Sequence, residues 1–159
     1  MIPADWIDFM NADGVVTLKL PPDWFADDED EEDDTTAFAP EDDEAAGILR
    51  LSCAVYERDE DVTDRALPKL LVKRGPQPKR LTDTRYAFHT FEEDEEEGEP
   101  IYTHTWQMIQ QTAPREVVVV IATYTLGENE TPAQAEPFVN ALEASITTAV
   151  ISTEDAEEE

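Results

Sequence analysis

What this chain of 159 residues lacks excludes several common chemistries. It has one cysteine, Cys53, so it can form no internal disulfide and carries no CxxC redox pair. It has five glycines, too few for a glycine-rich loop that cradles phosphate, and neither a G-x-S-x-G nor an H-E-x-x-H motif occurs. Lys and Arg together number 11 against 39 acids, a formal net charge of −28. Nucleic-acid binding needs a basic footprint and is not expected, and an anionic membrane surface would repel the chain. The longest apolar run, residues 117–122, is far too short to span a bilayer. The opening Met1-Ile2-Pro3-Ala4-Asp5-Trp6 has neither a basic nor an apolar signal region, so the expected location is the cytoplasm.

What is present is acid, and it is clustered. Residues 27–34, 41–44 and 92–97 are unbroken acidic runs, and the segment after Thr153 adds five more acids. These runs read as loops and ends. Three readings of them stay open: a solvated surface suited to a saline, halophilic cytoplasm; calcium binding, which wants six to eight oxygens but finds no D-x-D-x-D-G pattern; and mimicry of DNA charge toward a basic partner. Four lysines against seven arginines lean toward the first.

Hydrophobic residues make up 40% of the chain, enough for a core in one domain of this length. Residues 1–152 are expected to form a single α+β domain and residues 153–159 a disordered acidic tail. Residues 15–20 read as a strand closed by Pro21-Pro22, and residues 36–39 as a short edge strand. Residues 48–56 alternate, with Leu49, Leu51, Cys53 and Val55 on the apolar face. In that run Cys53 reads as a packed strand residue; a nucleophile would want a nearby histidine, and none is local.

Ala66, Leu67, Leu70 and Leu71 share one face of a helix that starts near Asp61 or near Pro68 and stops at Gly75-Pro76. Residues 81–91 and 100–110 read as a hairpin joined by the acidic loop 92–99. Residues 116–126 hold the strongest strand, and the run 117–121 suits a central position covered on both faces, with a helix on one side. The last element is a helix capped by Thr131, with Pro132 in its first turn, Gln134 completing a capping box, and an apolar stripe of Phe138, Val139, Leu142, Ile146 and Val150. Pro137 marks a kink or the true first turn. This order gives α+β with an antiparallel sheet.

The segment Gly14-Val15-Val16-Thr17-Leu18-Lys19-Leu20-Pro21-Pro22-Asp23-Trp24 is similar to the strand, Leu-Pro, x, x-Trp opening of PsbP-like domains. That superfamily includes Ran-release factors, DcrB-type proteins and bacterial effector chaperones. The resemblance continues through the strands around Trp106 and Val117 and into the last helix, over roughly residues 5–150. It implies an antiparallel sheet sandwiched by helices and a binding role. Its members bind very different partners, so fold analogy names none.

Two histidines are the candidate metal ligands. If the hairpin pairs symmetrically about residues 96 and 97, His89 faces His104 and Phe91 faces Tyr102, and the imidazoles could hold a divalent ion. The competing reading is an aromatic core face, because Phe91, Tyr102, Trp106 and Met108 share it. Trp6 and Trp24 are candidate partner anchors, with core packing the alternative, and Trp106 reads as core. No catalytic residue and no cofactor is expected. The expected function is a non-enzymatic protein-binding or adaptor module, in one concrete form an effector chaperone with an apolar groove. The alternatives are an acidic decoy that inhibits a basic nucleic-acid-binding protein or toxin, and a metal protein using His89 and His104.

Overall fold

The computed structural model describes residues 2–10, 15–30, 35–40, 47–57, 79–82, 84–127 and 131–151. The unbroken valines set the frame. Strand β9 (Glu116–Thr125) lies in the middle of a seven-stranded sheet, between β5 (Ile48–Glu57) and β8 (Glu99–Ala113). Outside β5 come β4 (Thr35–Pro40) and then the edge strand β3 (Trp24–Asp30). Outside β8 come β7 (Arg85–Glu96) and the short edge strand β6 (Lys79–Thr82). All pairings are antiparallel. A second sheet places β2 (Val16–Leu20) between β1 (Ile7–Met10) and β10 (Val150–Ile151).

The single helix among the described residues, α1 (Pro132–Thr147), packs against β2 and β8. It begins as the sequence predicts. The Thr131 hydroxyl accepts from Gln134 N–H at 3.2 Å, and Thr131 N–H donates to Gln134 Oε1 at 3.2 Å, which satisfies two donors at the helix start. Pro137 lies inside the helix, not at its first turn. Val150 leaves the helical stripe: the helix ends at Thr147, and Val150 is 63% exposed in β10.

One core joins both sheets and the helix. Val16, Leu18 and Leu20 of β2, Leu49 and Leu51 of β5, Trp106 and Met108 of β8, and Val118, Val120 and Ala122 of β9 meet Val139, Leu142 and Ile146 of α1. Each such side chain contributes about 1.5–3 kcal/mol when taken from water. The opposite face of the large sheet buries Phe88, Ile109 and Val117 as a separate cluster. Hence β9 buries side chains on both faces, fully on the core face and only partly, at Val119 and Ile121, on the other.

This architecture corrects the expected α+β sandwich of a sheet between helices. The described residues form ten strands in two antiparallel sheets with one helix. Two physical facts account for the difference. First, acidic runs read as loops extend strands instead: residues 27–30 complete β3, and residues 92–96 complete β7, where the side chains of Glu92, Glu93, Asp94 and Glu95 are exposed and solvated. Second, residues 7–10 and 150–151 flank β2 as strands of their own sheet. Residues 35–40 are no edge: β4 pairs on both sides, and Phe38 is fully buried. The helix expected to start near Asp61 or Pro68 and to stop at Gly75-Pro76, and the acidic tail, lie outside the described residues. No helix among those described is long and apolar enough to cross a membrane.

Candidate functional site

The hairpin β7–β8 builds one wall of the site. Its turn is tighter than the acidic loop implies. Glu97 and Gly98, at φ 55° and 85°, turn the chain between Glu96 and Glu99. Positive φ at both central residues matches the twist of the flanking strands. The register therefore moves by two residues from the symmetric expectation: His89 pairs with Trp106, and Phe91 pairs with His104. An even shift keeps every side chain on its face. The two histidines end as diagonal neighbours rather than a direct pair.

Diagonal placement still brings the imidazoles together. His89 Nε2 lies 2.8 Å from His104 Nδ1, with the rings stacked at 5.0 Å and 13°. One nitrogen donates and the other accepts, so each neutral ring orients the other. His89 also stacks on Trp106 at 5.0 Å, and Phe91 leans on His104 at 4.6 Å. The result is a ladder of flat rings running from the buried Trp106 to the 43% exposed Phe91. Tyr102 continues it beyond Phe91 at 6.0 Å.

Burial holds His89 below its ordinary protonation range, and the Glu143 carboxylate works against that shift. His104 is held down by burial first and by its neighbour His89 second, again opposed by Glu143. A single proton on the pair turns the short contact into a charge-assisted bond. A second proton sets two like charges face to face.

The opposite wall is the helix. Pro132, Ala133, Glu136, Asn140 and Glu143 line it, with Val139 at the floor, and together with His89, Phe91 and His104 they enclose a cleft of about 480 Å³. That volume is in the range of small-ligand sites. Glu143 Oε1 accepts from Trp106 Nε1 at 3.2 Å, which fixes the carboxylate over the ring ladder. Among the described residues that line it, none is Lys or Arg.

Other candidates fall elsewhere. Trp6 and Trp24 are each 8% exposed and flank Phe138 at 5.6 and 5.5 Å, with Tyr124 at 5.4 Å, so they wedge the first half of α1 rather than offer anchors. Cys53 is buried and forms no disulfide. Among the described residues no three His, Cys, Asp or Glu side chains are grouped to hold a metal ion, and in the pair the two facing imidazole nitrogens already occupy each other. The helical wall was missed in the sequence. Its signal was the 4-3 spacing of Glu136, Asn140 and Glu143, a polar stripe beside the apolar one.

No protein-family model and no curated protein matches the chain. Solved structures do. A Bacteroides thetaiotaomicron protein superposes with a TM-score of 0.61 at 15% identity, over 98% of this chain and 50% of its own. The chain thus spans half the length of that protein. LpqN, involved in cell envelope biogenesis of Mycobacterium tuberculosis, superposes with a TM-score of 0.56 at 11% identity, over 92% of this chain and 90% of its own. At such identities the likeness is one of fold, and by fold this chain is similar to both.

Proposed function

We propose that the chain is a non-enzymatic binding module of PsbP-like type, and that its partner is another protein received in the cleft between α1 and the β7–β8 hairpin. The observation that carries this reading is the preformed cleft of about 480 Å³, whose walls come from two rigid elements and whose floor is apolar. Its half-open aromatic ladder is the kind of surface that anchors partner side chains. The PsbP-like part rests on the opening motif of residues 14–24, and a role at the cell envelope is suggested only by the LpqN likeness.

Asn140, exposed on the helical wall, gives the test. Asn140→Trp fills the cleft without touching the core. Tagged wild-type chain and this variant are each used for capture from native lysate at native ionic strength. A stoichiometric partner retained by the wild type and lost by Asn140→Trp, with melting temperatures alike, supports the reading. The same partner held equally by both removes the cleft from the function.

A further inference from the structure

The cleft's chemistry is selective, and we propose that it receives an arginine side chain presented by the partner protein. This deepens the proposed binding function and rests on it. A guanidinium is flat, delocalised and cationic: it stacks on rings and forks to carboxylates. The cleft offers both surfaces. Phe91 and His104 form a tilted ring wall, with Phe91 43% exposed at the mouth. Glu136 and Glu143 project from the facing helix, and Glu143 is already oriented by its 3.2 Å bond from Trp106. Among the described residues no cationic side chain lines the cleft to compete.

Charge places a proton in opposition to this ligand. The groups that face the histidine pair are Glu136 and Glu143 of α1, each imidazole facing the other, and Glu93, next on the same face of β7. Arg85 lies on that face too, but toward the helix C-terminus, where it donates to the Thr147 carbonyl at 2.8 Å. A guanidinium between the rings and the glutamates replaces a proton there. Occupancy therefore falls as the pair protonates.

The test uses the full chain with two probes, N-acetyl-arginine methylamide and its citrulline counterpart, a neutral molecule of nearly equal shape. Binding is read from the NMR signals of the His89 and His104 rings and the Trp106 indole, in about 0.5 M KCl so that diffuse attraction to the acidic runs is screened. The expected result is a saturable shift with the arginine probe and binding at least about tenfold weaker with citrulline. The Glu136→Gln/Glu143→Gln double variant loses that preference, and Glu92→Gln/Asp94→Asn, on the opposite face of the hairpin ribbon, keeps it. The arginine probe also moves the imidazole titration to lower pH.

Equal binding of both probes overturns the arginine assignment and leaves the cleft as a binding site. An arginine preference that survives Glu136→Gln/Glu143→Gln overturns it as diffuse attraction. Binding of neither probe overturns it too. Whether the wider binding reading stands is then decided separately by the Asn140→Trp capture.

Discussion

At the scale of single residues, two glycines and one proton pair make the clearest demands. Gly47 sits where a Cβ would run into the Tyr124 hydroxyl and lie 2.6 Å from the Thr125 carbonyl. Tyr124 is 2% exposed and packed on Phe138, so it cannot retreat. Gly47→Ala is expected to destabilise by about 1–3 kcal/mol, the usual penalty of overpacking, read by denaturant melts. Gly98→Ala meets no atom within 4 Å and is strained only by its φ of 85°, at a cost of about 1–2 kcal/mol. The histidines give a pH signature. Both are held below the ordinary value of 6.5, so below that value the unfolded chain takes up protons that the folded pair refuses. Stability is then lost as pH falls from 6.5, and nothing is gained above it. The His89→Gln/His104→Gln variant is expected to show a flatter stability profile between pH 6.5 and the acid limb than the wild type, measured by thermal melts across that window.

Among elements, the docking of α1 decides the cleft's shape, and it relies on polar clasps as well as on core. Ser145, 1% exposed, donates to the Lys19 carbonyl at 2.6 Å and accepts from Lys19 N–H at 2.9 Å. It thus serves β2 as a strand neighbour would, where the short β10 no longer reaches. Ser145→Ala leaves both groups unmatched and is expected to cost about 1–3 kcal/mol, measured by chemical denaturation. At the helix C-terminus, Arg85 reaches from β7 to the Thr147 carbonyl and is steadied by Gln110 at 2.6 Å. Its cation faces the negative end of the helix dipole, and burial pushes its protonation range down without removing the charge.

The sequence made some of these elements readable and others not. The helix start was legible because Thr131, Pro132 and Gln134 interact locally. The central place of β9 was legible because a run of five aliphatic residues suits a strand flanked on both edges. The ring face of the hairpin was legible because period-two alternation survives an even register shift. The hairpin's register was not, because it hangs on a two-residue turn hidden inside a run of glutamates. Nor was the clasp between Ser145 and Lys19, which joins residues 126 positions apart. The helical half of the cleft was overlooked because a Glu136 or Glu143 on an exposed stripe looks, in so acidic a chain, like any other solvated carboxylate.

Across the whole molecule, the charge of −28 is the dominant fact. Acids extend the edge strand β3 and the tip of the β7–β8 ribbon, where β8 no longer pairs with β9 before Thr103. Strand edges of one sign resist pairing with another copy, and acids there discourage aggregation. The same charges repel one another within the folded chain, and the Lys19–Asp8 ion pair at 2.8 Å lies on the surface, where it offsets little of that repulsion. The melting temperature is expected to climb with KCl as this repulsion is screened. A flat response up to molar salt, followed by calorimetry, would speak against an acidic surface adapted to a saline cytoplasm.

The most direct measurement of how this chain works is backbone hydrogen exchange on the complex with its captured partner. Slowed exchange in residues 132–143 of α1 and in the β7–β8 hairpin around His89 and His104 is the expected result, since those two walls would close on the partner. Protection confined to the β1–β2–β10 sheet or to the edge strand β3, with the cleft exchanging as in the isolated chain, would contradict it.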